Sequence, residues 1–315
     1  MDESGTEQLA QELCQGLADG IASSNLGTVT TAIYDTAWLS MLYRKEGEAG
    51  YWVFPECLQY LLSHQLPNGG WEAYATKEDG ILNSLAALLA LRRHQGSPTS
   101  NTMLEKSIER AISFLETSLQ TLEVNENLPV GFEHLVPTLL RLLKVEGIHF
   151  SFPAEGALMA VNEIKLKKFT PDLLYGTAES TLLHSLETFI GIVDFNKLGH
   201  RKIFGGMMFS PASTAAYLMN ISSWDEDAEM YLRRVIHEGS GKGNGAVPCV
   251  FPTPVFEISW VWRFFSFGEK IQSLGICRLF QRCYKAECRQ KIWVTRIWSL
   301  LHHIWNSTYV HRMVS

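Results

Sequence analysis

The chain has 315 residues and a formal net charge of −6; 46% of its residues are apolar and 19% are charged. This balance is typical of a globular protein with a substantial core, and it excludes a disordered chain. It also argues against a nucleic-acid interface, which requires a basic face. No run of about 20 apolar residues is present, so no transmembrane segment is predicted.

The cysteines and the first residues of the chain bear on the compartment. None of the six cysteines has a C-x-x-C spacing, so the sequence indicates neither a zinc site nor a disulfide framework. The chain begins with an acidic segment that lacks the apolar stretch of a secretory signal. These features predict a reducing, cytoplasmic location.

Apolar residues recur at helical spacing along most of the chain. Residues 6–20 predict a first helix, and Asp35 or Thr36 is expected to cap the second. The stretch from Ile81 to Leu91 is apolar all round, which is typical of a buried inner helix. Further helices are expected over residues 103–122, 129–143, 182–187, 212–220 and 226–237.

Strands are predicted to be few. Apolar and polar residues do not alternate over more than about four positions at any point. The helical stretches are instead separated by short segments rich in proline and glycine. An all-α domain of paired helices is therefore predicted.

The stretch from Phe54 to Trp71, FPECLQYLLSHQLPNGGW, has the most distinctive pattern. Pro55 suits the first turn of a helix, and a Pro-Asn-Gly-Gly run ends that helix. The order of Gln65, glycine and Trp71 resembles the QW motif of terpene cyclases built as α-helical barrels. The resemblance implies that Gln65 bonds the backbone at a helix end while Trp71 stacks on it. The alternative is an ordinary capped helix with a buried tryptophan.

Other segments carry a second ordered pattern. They are YDTAW at Tyr34–Trp38, LLHSLE at Leu182–Glu187, SPASTAA at Ser210–Ala216, GNG at Gly243–Gly245, FPT at Phe251–Thr253 and FEISW at Phe256–Trp260. Together they resemble the N-terminal part of class II diterpene cyclases, and most closely the bifunctional copalyl diphosphate/ent-kaurene synthases of fungi. The resemblance implies an all-α fold, with a paired-helix, α/α-barrel-like γ domain and part of a β domain.

The domain division expected from this resemblance has three parts. Residues 1–32 are an N-terminal helix and loop that contribute to the β domain, and residues 33–260 are the γ-type helical domain. Residues 261–315 are a divergent basic tail that is either aberrant or unstructured. The tail holds nine of the 27 Lys and Arg residues but only two of the 33 Asp and Glu residues. This break indicates either a separate module or a segment outside the family's normal reading frame.

The family resemblance implies a cyclisation of geranylgeranyl diphosphate that is started by a proton. An aspartic acid in a DxDD motif protonates the terminal alkene, two rings close, and loss of a proton yields copalyl diphosphate. Such an acid needs the raised pKa that a desolvated pocket supplies. In bifunctional members a further domain uses a DDxxD motif and Mg²⁺ to ionise the diphosphate.

This sequence contains neither DxDD nor DDxxD. Its nearest acidic cluster, Asp225–Glu229, is interpreted as the solvated first turn of a helix, where acids suit the helix dipole. The chain is therefore predicted to be a fragment of a class II diterpene cyclase that is inactive alone. Two alternatives stay open. One is a non-catalytic scaffold that binds geranylgeranyl diphosphate or complements a cyclase partner supplying DxDD, and the other is a helical scaffold without a terpene ligand.

His184 is the candidate catalytic residue. It matches the histidine of the family's LHS segment, which the resemblance implies holds the water that removes the final proton. Imidazole suits this role because its pKa lies near working pH. The alternative is a core histidine with its hydrogen bonds satisfied. In the family an asparagine acts together with this histidine, and Cys249 stands in its place here. The substitution leaves open which residues act as the base and which stereoisomer is formed.

Four further residues are candidates for binding the diphosphate. Glu123 and Glu126 resemble the family's acidic motif for Mg²⁺, and carboxylate oxygens are ligands that Mg²⁺ prefers; an exposed acidic loop is the alternative. Lys165 and Lys167 align with a lysine that contacts the diphosphate, and a solvated basic face is the alternative.

Overall fold

The computed structural model describes residues 29–47, 49–95, 102–125, 128–178 and 180–253. The helix predicted over residues 6–20 and the tail over residues 261–315 lie outside these ranges. Within them, no helix is long and apolar enough to cross a membrane.

Helices make up most of the described chain. The α-helices are α1 (Ile33–Ser40), α2 (Pro55–Ser63), α3 (Lys77–His94), α4 (Thr102–Gln120), α5 (Phe132–Val145), α6 (Glu155–Leu166), α7 (Asp172–Tyr175), α8 (Pro211–Asn220) and α9 (Glu226–Glu238). The 3₁₀ helices are η1 (Thr181–Phe189), η2 (Phe195–Lys197) and η3 (Gly199–Arg201). The predicted all-α, paired-helix fold is confirmed.

Two small antiparallel sheets accompany the helices. The strands are β1 (Thr31–Ala32), β2 (Tyr43–Glu46), β3 (Ala49–Trp52) and β4 (Val247–Pro248). β2 and β3 form a hairpin, in which Tyr43 lies opposite Trp52. β1 pairs with β4, with Ala32 opposite Val247, and so brings the two ends of the described chain together.

α3 is the central helix, as its all-round apolar sequence predicts. A capping box begins it, in which the side chain of Asp79 accepts from the Thr76 amide at 2.9 Å. The residues from Leu85 to Leu91 are fully buried, and α3 packs against α1, α4 and α5. The prediction of a buried inner helix over Ile81–Leu91 is confirmed.

α8 is the second buried helix, and the sequence fixes its start. Ser210 is the N-cap and accepts from the Ser213 amide at 3.1 Å, while Pro211 occupies the first turn. α8 is buried from Pro211 to Leu218 and packs against α1 and α9. The hydroxyls of Ser213 and Thr214 are therefore enclosed, and they bond groups of other elements.

The structure corrects the predicted start of α1. Ala32, rather than Asp35 or Thr36, is the N-cap, because the chain turns into the helix directly from β1. Both polar side chains are buried inside the helix instead. The Thr36 hydroxyl donates to the Ala32 carbonyl at 2.7 Å and accepts from the Val247 amide at 3.2 Å, so it ties α1 to β4.

The segment predicted as a helix over residues 182–187 is a 3₁₀ helix with a kink. At Ser185 the backbone leaves the helical region, with φ = −138° and ψ = 45°. The Leu186 amide that follows donates to the Ser213 side chain at 2.9 Å. A partner on α8 thus replaces a helical hydrogen bond at the kink.

The described residues fall into two compact units. Thr30–Thr177 and Leu182–Cys249 form one of them. The described residues Val29, 178, 180–181 and 250–253 belong to the other. The side chains of the site described below all lie in the first unit. The three-part domain division stays a prediction.

Candidate functional site

Three of the predicted motifs meet in one buried cluster. The Tyr34 hydroxyl donates to Glu187 Oε1 at 3.0 Å, and the Ser213 hydroxyl donates to Glu187 Oε2 at 2.9 Å. The Ala212 amide donates to Asp35 Oδ1 at 3.1 Å. The YDTAW, LLHSLE and SPASTAA segments are therefore joined by side-chain hydrogen bonds at the beginning of α8. We call Tyr34, Asp35, His184, Glu187 and Ser213 the three-motif site.

Two carboxyl groups of this site are almost inaccessible to solvent. Asp35 is 4% exposed and Glu187 is 2% exposed. Burial raises the pKa of Asp35 to about 8, although the Ala212 amide opposes the rise, and the charge of Glu187 adds to it. Burial also raises the pKa of Glu187 to about 7. At neutral pH the pair therefore retains at least part of its protons, because two ionised carboxylates this deep in the protein would be poorly solvated.

His184 lies on η1, in the same motif as Glu187, and is held by a hydrogen bond to the backbone. Its Nδ1 is 2.9 Å from the Met208 carbonyl oxygen. A carbonyl oxygen only accepts, so the imidazole donates through Nδ1–H and the lone pair is on Nε2. The residue is exposed, yet desolvation of the ring by the surrounding protein lowers its pKa, against the effect of the Met208 bond. His184 is thus a neutral imidazole whose basic Nε2 has no hydrogen-bond partner among the described residues.

Cys249 follows β4 and has an exposed side chain. Desolvation raises the pKa of its thiol to about 12, and the charge of Asp35 contributes to the rise. The thiol is therefore protonated, and uncharged, at neutral pH. Among the described residues, no hydrogen bond joins Cys249 to His184, so the two side chains are not a hydrogen-bonded pair.

The acidic cluster at Asp225 has the role of a helix cap. Asp225 Oδ1 accepts from the amides of Asp227 and Ala228 at 3.1 and 3.2 Å. Lys202 Nζ lies 2.7 Å from Asp225 and 2.8 Å from Asp227. Burial raises the pKa of Asp225, but the hydrogen bonds from Lys202 and Tyr217 outweigh this and hold the pKa below its ordinary value. An ionised, paired aspartate is not a proton donor, in agreement with the interpretation of this cluster as a first helical turn.

The two candidate lysines have carboxylate partners near the end of α6. Lys165 forms an ion pair with Glu133, whose side chain is nearly buried at the start of α5. Lys167 pairs with Glu163 at 2.9 Å, and both of these side chains are largely exposed. No described hydrogen bond or ion pair connects either lysine to the three-motif site. Their contact with a diphosphate stays a prediction.

The candidate magnesium ligands are not brought together within the described chain. Glu123 is exposed just beyond the end of α4, and Glu126 lies outside the described residues. Across the ranges that the structure describes, no three His, Cys, Asp or Glu side chains converge as a metal site would require. The pair of glutamates therefore stays a prediction.

Gln65 and Trp71 form hydrogen bonds with three helices, two of them through backbone carbonyls and the third through a side-chain hydroxyl. Gln65 Nε2 donates to the carbonyls of Gly69 at 2.8 Å and of Ser107, on α4, at 2.9 Å. Trp71 Nε1 donates to the Leu61 carbonyl on α2 at 2.9 Å. The Trp71 amide donates to the Ser84 hydroxyl on α3 at 3.0 Å.

Only glycine fits at position 69 of this motif. Its backbone has φ = 94°, and an added Cβ would overlap the Arg110 carbonyl of α4. These contacts agree with the backbone-bonding role that the QW resemblance implies, a role that stays a proposal.

Sequence reasoning gave no role to Glu187, Ser213 or Thr214 and assigned Asp35 only to a helix cap, although all four belong to quoted motifs. The available signal was polar side chains inside apolar helical segments, which are buried only with partners. That signal does not identify the partner of each side chain, because the partners are far apart in the sequence. Asp35 and Ala212, for example, are 177 residues apart.

Comparison with curated proteins shows strong similarity to fungal diterpene synthases. The chain is 46% identical over 241 residues to pimaradiene synthase pbcA of Emericella nidulans, a match of 75% of this chain and 24% of that protein. It is 48% identical over 239 residues to copalyl diphosphate synthase of Talaromyces verruculosus, covering 74% of this chain and 25% of that one. The chain spans about a quarter of the length of these relatives. No family model matches it.

Solved plant structures share the fold. Abietadiene synthase from Abies grandis superposes with a TM-score of 0.64 at 28% identity, covering 89% of this chain and 35% of that one. The ent-copalyl diphosphate synthase of Arabidopsis thaliana, solved with an aza-geranylgeranyl thiolodiphosphate, also gives a TM-score of 0.64, at 27% identity, and covers 89% of this chain and 38% of its own.

Proposed function

Because this chain is related to part of the fungal diterpene cyclases, as its motifs predicted, we propose that it forms the proton-accepting side of a class II cyclase site. The substrate in this proposal is geranylgeranyl diphosphate and the product is copalyl diphosphate. The observation that carries the proposal is the neutral imidazole of His184, whose proton is held on Nδ1 and whose Nε2 is free to accept.

The proposed chemistry is an isomerisation that begins and ends with a proton. An acid protonates the terminal alkene, the alkenes attack in turn to close two rings, and the cation loses a proton to regenerate an alkene. His184 Nε2 receives that last proton, either directly or through a bound water. The diphosphate is retained, so the atoms of substrate and product are the same.

The acid of this reaction is assigned to a partner segment. The sequence has no DxDD motif, and Asp225 and Asp227, which would be the next candidates, are paired with Lys202. We therefore propose that the chain alone does not turn over substrate. A polypeptide carrying DxDD, in the same or another chain, would complete the site. We also propose a cytoplasmic location for the protein.

Magnesium has a limited place in this proposal. When bound beside a diphosphate, Mg²⁺ would neutralise part of its charge. Glu123 would be one carboxylate ligand, with Glu126 as the second by family resemblance. The main alternative is a scaffold that binds geranylgeranyl diphosphate without reacting. The two proposals differ at His184, because only the cyclase requires a group that accepts a proton.

A chimeric enzyme tests the proposal. The segment of the Talaromyces verruculosus copalyl diphosphate synthase that matches this chain over 239 residues is replaced by the present sequence. Copalol is measured by mass spectrometry after phosphatase treatment. We expect product from the chimera and none from the isolated chain. We expect His184→Ala to lower the rate of the chimera about 10²-fold or more, as for loss of a general base.

His237→Ala is the control, because it removes an exposed histidine of α9 and should leave the rate unchanged. A chimera that is active but insensitive to His184→Ala would show that another group accepts the proton. Product from the isolated chain would show that an acid is present in this sequence, and the assignment of the acid to a partner segment would then be wrong.

A further inference from the structure

The carbonyl that fixes His184 belongs to a strained turn. Met208 has φ = 48° and Phe209 has φ = 61°, so two consecutive residues with side chains adopt the left-handed conformation. The Ser210 amide donates to the Met207 carbonyl at 2.9 Å and closes the turn. Residues with a Cβ rarely adopt this conformation unless surrounding contacts hold them there.

The Thr214 hydroxyl holds this turn at both ends. Its Oγ1 accepts from the Met207 amide at 2.8 Å and donates to the Ser210 carbonyl at 2.7 Å. Thr214 is fully buried, so water does not compete for either bond. The first and last residues of the turn are therefore attached to one side chain, and the direction of the Met208 carbonyl between them is fixed.

The neighbouring hydroxyl of Ser213 holds the segment that carries His184. Its Oγ accepts from the Leu186 amide at 2.9 Å, just after the kink at Ser185, and donates to Glu187 Oε2 at 2.9 Å. Ser213 is also fully buried. Two adjacent side chains in the first turn of α8 thus hold two backbone segments. Ser213 holds the segment that carries His184, and Thr214 holds the turn that carries the Met208 carbonyl.

We propose that Ser213 and Thr214 are positioning residues that hold the Met208 carbonyl against His184 Nδ1 and so keep the lone pair on Nε2. Neither hydroxyl contacts the imidazole in the described structure, and neither takes part in a chemical step. The inference rests on the proposed function, since the tautomer matters for catalysis only if His184 accepts a proton. The positioning itself can be measured without turnover.

Nitrogen NMR of the full chain tests the inference. The protein is labelled with ¹⁵N-histidine, the His184 signals are assigned by their loss in His184→Gln, and the spectra are followed with pH. For the wild type we expect one neutral tautomer, protonated on Nδ1, and a titration midpoint below the ordinary value for histidine. For Thr214→Val we expect a mixture of tautomers and a midpoint moved by roughly half a pH unit or more.

Two variants separate positioning from general stability. Thr214→Ser keeps the hydroxyl and should restore the wild-type tautomer. Ser84→Ala removes another fully buried hydroxyl that accepts from a backbone amide, that of Trp71 at 3.0 Å. It should lower stability while leaving the His184 signals unchanged. If Thr214→Val does not fold, Ser213→Ala is measured in the same way, with the same expected change at His184.

Two results would overturn the inference. One is a wild-type His184 protonated on Nε2. The other is a folded Thr214→Val or Ser213→Ala protein with wild-type His184 signals. Failure of the proposed function would be distinguishable, because the chimera would then be insensitive to His184→Ala while the tautomer still depended on Thr214.

Discussion

At the scale of single residues, Asp35 shows how the fold sets a proton affinity. Its carboxyl group is enclosed between α1 and the start of α8, where it accepts the Ala212 amide at 3.1 Å. Glu187 is the nearby acid. The charge of Asp35 also affects the titratable groups of Tyr34, Tyr74, Tyr231 and Cys249. Since desolvation is the largest cause, the folded protein binds the Asp35 proton more tightly than the unfolded chain does.

This difference predicts how stability changes with pH. The pKa of Asp35 rises from 3.8 to about 8 on folding. Its contribution is therefore fully present below about pH 4 and is lost as the pH rises towards 8. We expect Asp35→Asn, which keeps the oxygen that accepts the Ala212 amide, to remove this loss. The free energy of unfolding of the variant, relative to that of the wild type, should therefore increase with pH by as much as about 1.4 kcal/mol per pH unit across this range.

Denaturant titrations at several pH values between 4 and 9 measure the effect. Asp172→Asn is the matched control, because it makes the same change at an exposed position in α7. Parallel curves of stability against pH for wild type and Asp35→Asn would contradict the expectation, and would mean that Asp35 is ionised in the folded protein.

At the scale of elements, Gln65 connects the end of α2 to α4. Replacement of Gln65 by leucine removes both donated hydrogen bonds and places an apolar group against the carbonyls of Gly69 and Ser107. We expect the free energy of unfolding to fall by about 1–3 kcal/mol. Gln120→Leu is the control, because that exposed amide also donates to a carbonyl, that of Ser151 at 3.1 Å. Its cost should stay within about 0.5 kcal/mol.

Chemical denaturation of both variants at one pH provides the comparison. Equal losses for Gln65→Leu and Gln120→Leu would contradict a linking role for Gln65. An unchanged stability of Gln65→Leu would show that the helix ends are held by the other contacts of the motif, chiefly the bond from Trp71 Nε1 to the Leu61 carbonyl.

The elements differ in how far the sequence could predict them. α3 and the cap of α9 were predictable, because apolar periodicity and an N-terminal aspartate are local signals. The β2–β3 hairpin was not expected, since its four-residue strands are too short for a clear alternation. The kink in η1 was also missed, because it depends on Ser213, a partner 27 residues beyond Leu186.

The candidate site was predictable only in part, for the same reason. The motif pointed to His184, since an imidazole has recognisable chemistry wherever it lies. The roles of Asp35 and Thr214 depend on which helices pack against each other, and spacing along the chain does not specify this. Asp35 was expected to cap a helix, whereas tertiary packing encloses it against α8.

At the scale of the whole molecule, the chain corresponds to one part of much longer relatives. The region that matches makes up only 24–25% of the first two of its relatives. In the proposed function, the imidazole comes from this chain and the acid from elsewhere. A ligand enclosed by both parts should bind weakly to either one alone, because only some of its surface would be buried.

Thermal unfolding with an aza-geranylgeranyl thiolodiphosphate distinguishes the three functions considered for this chain. A ligand that binds only the folded state stabilises it by about 2.7 kcal/mol at a concentration of 100 times its Kd, which corresponds to a rise in Tm of several degrees. We expect this rise for the chimeric cyclase and less than about 1 °C for the isolated chain. Pyrophosphate is the control for binding of the charged group alone. A large rise for the isolated chain would instead indicate a self-sufficient binding scaffold, and no rise in either protein would favour an interaction scaffold without a terpene ligand.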